Sequence, residues 1–185
     1  MKAELISVGT EILLGEILNT DAQFLSRELS EIGIDVYHQS VVGDNEQRLA
    51  ESVRTALGRA DIVIASGGLG PTPDDITKEV ISNVMGKKLV LDSESLGYIR
   101  GYFERIGKTM TKNNEKQAYL PENCIILKNN CGTAPGCIIE SGDKAVVILP
   151  GPPSELTRMY TESVKPYLKK KSGKKLFTKT LHLFG

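Results

Sequence analysis

The chain has 185 residues, of which 40% are hydrophobic and 25% charged, a composition that supports one globular domain with a single good core. Lys plus Arg and Asp plus Glu both total 23, so the formal net charge of +0 gives no argument for a nucleic-acid partner or a membrane surface. No apolar run is as long as a membrane span and the N-terminus enters a strand directly, so a soluble, cytoplasmic protein is expected.

Leu5-Ile6-Ser7-Val8 reads as a short buried strand that ends in Gly9-Thr10. After a loop, Asn19 or Thr20 can cap a helix with Ala22, Leu25, Leu29 and Ile32 on one face, and Gly33 is placed to end it. Residues 34–42 return as a strand. Asp44 or Asn45 then caps a helix whose inner face is Leu49, Val53, Ala56 and Leu57, with Gly58 closing it. Residues 62–65 are the third strand and residues 76–85 the next helix. This alternation predicts right-handed crossovers and a parallel sheet.

The second half is less regular. Ser93 or Ser95 can begin a helix with Leu96, Ile99, Phe103 and Ile106 inward. Residues 113–119 read as a short helix stopped by Pro121, and residues 124–127 as a strand. Residues 136–140 and 145–149 read as an antiparallel hairpin around Ser141-Gly142-Asp143. Ser154 can cap a last helix carrying Leu156, Met159, Tyr160, Val164 and Tyr167 inward, and Lys169, Lys170 and Lys171 with Lys174 and Lys175 suit its solvated C-terminal end. The three cysteines, Cys124, Cys131 and Cys137, have no Cys-x-x-Cys spacing, and His38 and His182 are far apart. This pattern argues for free thiols in a reducing compartment and against zinc. The expected fold is a three-layer α/β/α sandwich with a mostly parallel mixed sheet, antiparallel at one edge.

The chemistry concentrates in Ser66-Gly67-Gly68-Leu69-Gly70-Pro71-Thr72-Pro73-Asp74-Asp75-Ile76-Thr77. A strand that opens into three glycines and then a helix is a shape that holds phosphate, because the backbone can approach the anion and helix N–H groups are unpaired. Asp74 and Asp75 would repel a bare phosphate, so a divalent cation is expected between them. One of the two is also expected to cap the helix, and Asp44 has the same capping alternative. Ligands of open parallel sheets sit beyond the carboxyl ends of the strands. Four such ends carry glycines or acids: Gly9-Thr10-Glu11, Gly43-Asp44-Asn45, the glycine motif, and Pro150-Gly151-Pro152-Pro153-Ser154-Glu155. There is no Walker A lysine, no Gly-x-Gly-x-x-Gly after the first strand and no Gly-x-Ser-x-Gly elbow, so neither a redox cofactor nor a serine hydrolase is expected.

The motif from Gly67 to Thr77 resembles the signature of the molybdopterin-binding, MogA/MoaB-like fold. Val8-Gly9-Thr10-Glu11-Ile12-Leu13-Leu14-Gly15-Glu16, Asn114-Glu115-Lys116-Gln117-Ala118, Gly132-Thr133-Ala134-Pro135-Gly136 and Leu149-Pro150-Gly151-Pro152-Pro153-Ser154-Glu155 resemble the competence/damage-inducible CinA family more narrowly. That resemblance implies metal-dependent hydrolysis of ADP-ribose to AMP and ribose 5-phosphate, with functional aspartates matching Asp44 and Asp75. The cation (Mg, Mn or Co) is expected on Asp44 and Asp75 with Asp74 or Glu11 assisting, Asp75 being preferred to Asp74. Backbone N–H groups of Gly67 to Gly70 and of Gly151 are expected to hold the diphosphate. Lys116 is expected to stabilise its charge, and Thr10 and Gln117 to contact ribose or base. Gly9, Pro71, Asn114, Gly132, Thr133 and Pro152 complete the expected binding residues.

Two alternatives accompany this reading. One is a molybdopterin or nucleotide-binding module without catalysis. The other is a non-catalytic half of a longer protein, since full-length relatives usually carry a second domain, often a nicotinamide-mononucleotide deamidase. The resemblance places the binding domain at residues 1–170 and the start of an onward connection at 171–185, and it implies self-association. The chain departs from the family at Asp21, where Asn is common and where the acid stands near the site or complements the helix start. It departs also at Leu69, in place of a Thr of the pterin-binding relatives, and at Asp74. The last two are expected to tilt the site from pterin toward diphosphate.

Overall fold

The computed structural model describes residues 1–173. In chain order the first half runs β1 (Lys2–Val8), a short α1 (Thr10–Leu13), α2 (Thr20–Glu31), β2 (Asp35–Val42), α3 (Glu46–Arg59), β3 (Ile62–Ser66) and α4 (Thr77–Val84). The second half runs β4 (Leu89–Leu91), α5 (Ser93–Arg105), a 3₁₀ helix (Lys112–Ala118), β5 (Tyr119–Pro121), β6 (Ile125–Leu127), β7 (Gly136–Ser141), β8 (Lys144–Leu149), α6 (Pro153–Met159), a π-helical turn (Tyr160–Val164) and α7 (Lys165–Ser172).

Six strands form one sheet in the order β2-β1-β3-β8-β7-β6. The first four are parallel and the last two antiparallel, as the sequence pattern predicts. The parallel strands end in step: Val8 faces Val42, Ser7 faces Ser66, and Ser66 faces Leu149. The loops that follow therefore leave from one edge of the sheet, where open α/β sheets bind ligands.

Alternation along the central strands builds both sides of the core. Leu5, Ile64 and Val147 point into a cluster with Leu25, Leu29, Leu156 and Tyr160. Ile6, Val63, Val146 and Ile148 point the other way, onto Leu49, Val53, Val80 and Ile81. The layers are thus α2 with α6 on one face and α3 with α4 on the other.

Local chemistry differs from expectation in several places. Asn45 alone caps α3, its Oδ1 accepting the Arg48 N–H at 3.1 Å, which leaves Asp44 free for another partner. Gly58 lies inside α3 rather than beyond it. Asp92, not Ser93 or Ser95, caps α5, and Ile106 is exposed because the helix ends at Arg105. Pro152 and Pro153 open α6 in place of Ser154; Pro at the first helical position gives up an N–H that has no helical partner. The two-stranded sheet of β4 and β5 is unexpected, since three-residue strands carry no readable alternation. Among the described residues, no helix is long and apolar enough to cross a membrane. The boundary expected after residue 170 falls within α7, and residues 174–185, with Lys174, Lys175 and the expected onward strand, lie outside the described residues.

Candidate functional site

The loops beyond β1, β3 and β8, with the start of α2, enclose a cavity of about 540 Å³. Val8, Ser66 and residues 67–71 form its glycine-loop wall. Pro150 to Pro153 and Glu155 form one wall, and Asn19, Thr20 and Asp21 another. Ile12, Ile17 and Leu18 edge the mouth. The expected convergence of strand ends is present for three of the four. The β2 end, with Gly43 and Asp44, stays outside.

The glycine loop is held by contacts that a side chain would break. Gly67 and Gly68 have φ of 96° and 66°, and a Cβ on Gly67 would fall on the Val8 carbonyl. Gly67 and Gly151 meet backbone to backbone, so the loops after β3 and β8 touch at two glycines. The Gly67 N–H donates to the Leu149 carbonyl at 3.1 Å and is unavailable to a ligand. Among the described residues, the N–H groups of Gly68, Leu69, Gly70 and Gly151 have no protein acceptor and remain available. Leu69 is 3% exposed and packs into the core beside Val8 and Ala65. It anchors the loop, so its lack of a hydroxyl argues nothing about the ligand.

Neither aspartate caps α4. Asp75 turns back instead: its Oδ2 accepts the Thr72 N–H at 2.9 Å and the Thr72 hydroxyl at 2.6 Å, closing a tight turn. The carboxylate lies against Gly70, where a Cβ would meet Oδ2 at 2.5 Å. Asp74 is exposed and does not line the cavity. Lys116 does not line it either. Its ammonium donates to the Thr72 and Asp75 carbonyls and pairs with Glu79 at 3.3 Å, which fastens the loop to the 3₁₀ helix. Beside it, Lys78 is buried and donates to the Gln117 carbonyl at 2.7 Å; burial pulls its ammonium down to about 8. Gln117 does reach the cavity. Its Nε2 donates to the Leu69 carbonyl at 3.2 Å, while its buried Oε1 accepts from no described residue.

Asn114 is nearly buried and caps the 3₁₀ helix, accepting from Thr111, so its role is local. Thr133 lines the cavity and Gly132 lies behind it, against the Glu155 carboxylate. This segment is organised by Asn129, a residue that the sequence reading missed. Its Oδ1 accepts the Cys131 and Gly132 N–H groups at 3.0 and 2.8 Å, and its Nδ2 donates to Glu155 at 2.6 Å. An Asn placed three residues before a glycine was the available signal for such a turn.

On the opposite wall Asn19 ties α2 to the end of β1. Its Nδ2 donates to the Ser7 hydroxyl at 2.9 Å and its Oδ1 accepts the Ala22 N–H at 3.1 Å. This fixes Asp21 in the first turn of α2, 9% exposed and lining the cavity. Among the described residues no group donates a hydrogen bond to its carboxylate. Burial alone pushes its acid up to about 6.

The acids expected on a cation are not brought together. Asp44 is exposed beyond β2, where its Oδ2 accepts the Thr10 N–H at 3.1 Å and the Thr10 hydroxyl at 2.7 Å; Thr10 and Gly9 lie with it outside the cavity. Glu11 is at the mouth, Asp75 is engaged by Thr72, and Asp74 faces solvent. Among the described residues, no three His, Cys, Asp or Glu side chains gather as metal ligands. Among the described residues, the cavity lining holds four carboxylates, Glu11, Asp21, Asp75 and Glu155, and no Lys, Arg or His. A diphosphate would therefore meet a field of its own sign.

A family model described as "Probable molybdopterin binding domain" matches residues 4–170. Over all 185 residues the chain is 56% identical to a competence-damage inducible protein of Acetivibrio thermocellus, covering 45% of that protein. The chain thus spans about half the length of the curated relatives it matches. Among solved structures, the protein CinA with unknown function from Thermoplasma acidophilum is 37% identical with a TM-score of 0.82, the match covering 89% of this chain and 96% of that one. The molybdopterin biosynthesis enzyme MoaB from Thermus thermophilus, 17% identical with a TM-score of 0.59 over 94% of this chain and 97% of that one, shares the fold. These matches bear out the expected MogA/MoaB-like architecture. They overturn the expected hydrolysis of ADP-ribose: the matched domain is described by pterin binding, and the solved relative carries no hydrolytic assignment. The scattered carboxylates agree with that correction.

Proposed function

The chain belongs to the probable molybdopterin-binding domain family, with CinA-like proteins as its relatives, and from that membership we propose that it is a binding module for a pterin-type ligand. The ligand sits in the crevice beyond β1, β3 and β8 and is held there without turnover. One observation carries this reading. Among the described residues, the crevice offers unpaired backbone N–H groups on the glycine loop, the unpaired Asp21 carboxylate at the start of α2, and no basic side chain. A pterin ring brings N–H donors for the carboxylate and a carbonyl for the N–H groups. The volume of about 540 Å³ suits a ligand of that size.

The chemistry of the additional segment in the longer relatives is not carried over to this chain. The test is a titration of the purified protein with pterin, followed by ligand fluorescence and calorimetry, with Mg²⁺ and then with EDTA. Saturable one-to-one binding that survives EDTA is expected, because among the described residues no three acids gather as ligands for a cation. Absence of binding overturns the reading, and binding that EDTA abolishes restores a cation to the site.

A further inference from the structure

The proposal concerns which group in the crevice reads the ring, and it rests on the pterin-binding reading above. A carboxylate that is nine-tenths buried without a hydrogen-bond donor is costly, so its position needs an explanation. Asp21 is such a group: it is 9% exposed, lines the cavity, and accepts from no described residue. The other crevice acids differ from it. Asp75 is engaged by Thr72 and Glu155 by Asn129, while Glu11 is exposed at the mouth. Across the same cavity, Gln117 is 3% exposed and its Oε1 also lacks a donor. The Gln117 Oε1 is sealed from the cavity, whereas the Asp21 carboxylate keeps access to it and accepts from no described residue.

The backbone holds Asp21 in place independently of any ligand, because Asn19 caps α2 and is itself bonded to Ser7 at the end of β1. A preorganised, desolvated carboxylate is matched by a ligand edge with two parallel N–H donors. We propose that Asp21 is the specificity-determining residue of the crevice and accepts the paired N–H donors of a 2-amino-4-oxopyrimidine edge. Pterins and guanine share that edge. Adenine does not present it, and lumazine, with oxygen in place of the amino group, offers one N–H between two carbonyls.

The test compares dissociation constants of pterin, lumazine, guanosine and adenosine for the unchanged chain and for Asp21→Asn and Asp21→Ala, with thermal melts as a check on folding. The unchanged chain is expected to bind pterin about tenfold or more tightly than lumazine, since an unmatched buried acceptor costs roughly that much. Asp21→Asn is isosteric but presents one donor and one acceptor. It should weaken pterin about tenfold and narrow or reverse the preference over lumazine. Guanosine bound more tightly than pterin, with the same dependence on Asp21, identifies the natural source of the edge as a nucleotide and supports the assignment; the opposite order supports it with a pterin source. A variant that folds and keeps the full pterin preference removes Asp21 from recognition while the binding-module reading stands. An unchanged chain that binds neither ring overturns both. If Asp21 served only the helix start, Asp21→Asn would lower the melting temperature and leave the ratio of pterin to lumazine affinity where it was.

Discussion

The two walls of the crevice are built on opposite rules. On the glycine-loop wall the polar side chains are engaged within the protein, Asp75 by Thr72 and the Gln117 amide by Leu69, and behind it Lys116 is engaged by two loop carbonyls and Glu79. On the α2 wall Asn19 is engaged, and two residues later Asp21, 9% exposed, accepts from no described residue. Residues that look chemical by type on the first wall are parts of its frame. The group left unmatched on the second wall is the one available to a ligand. Internal satisfaction stabilises a loop, whereas a buried unmatched acceptor lowers stability and persists where binding supplies the partner.

The largest effect expected is on the frame. Gly67→Ala puts a Cβ onto the Val8 carbonyl at a φ of 96° and should cost about 3 kcal/mol or prevent folding. Urea denaturation measures it, and a cost below about 1 kcal/mol would mean that the loop is not locked as described. Next comes Asp75→Ala, which leaves the Thr72 N–H and hydroxyl without their acceptor. A loss of about 1–2 kcal/mol is expected, with a weaker pterin affinity that follows from the loosened loop. A variant of full stability with no pterin binding would instead make Asp75 a ligand contact.

Asp21→Asn should act in the opposite direction. The Asp21 acid is raised from its ordinary value of 3.8 to about 6 by burial. Below pH 3.8 the group is protonated in both the folded and the unfolded chain and contributes no difference. Between pH 3.8 and about 6 the folded chain binds more protons, so its stability falls as pH rises, and the full penalty is present above about 6. Removing the charge should therefore stabilise the protein at pH 7.5 by about 1–2 kcal/mol and leave it unchanged near pH 3.5. Chemical denaturation at the two pH values reads this directly. A variant that gains stability and loses ligand contrasts with Asp75→Ala, in which both fall together.

The contrast between the walls also marks what the sequence makes legible. The parallel sheet, the hairpin at residues 136–149 and the glycine loop follow from alternation, turn residues and positive φ, all of which are local. Which acid caps, which braces and which is left over depends on partners brought near by the fold. Asp44 and Asn45 are equivalent cap candidates in sequence, and the structure separates them only because Thr10 arrives beside Asp44. Lys116 looks like a charge for a phosphate until α4 and the Asp75 carbonyl are placed against it. The β4–β5 pair leaves no local trace because each strand is three residues long. Asp21 was visible as an acid near a helix start, but its burial without a partner is a property of the assembled crevice.

The smallest effect is expected at Asp44, and it tests where the crevice ends. Asp44 is exposed, and its carboxylate accepts from Thr10 on the far side of the β1 loop, outside the cavity lining. Hydrogen bonds at an exposed site compete with water, so Asp44→Ala should cost about 0.5 kcal/mol, at the edge of what denaturation resolves. Pterin affinity should stay within about twofold of the unchanged chain, since Asp44 lies outside the lining and reaches it only through Thr10, beside Glu11 and Ile12. A tenfold loss of affinity at unchanged stability would instead show that the β2 loop closes over the bound ligand. The site would then extend to all four strand ends, and the division between an engaged wall and an open one would no longer describe it.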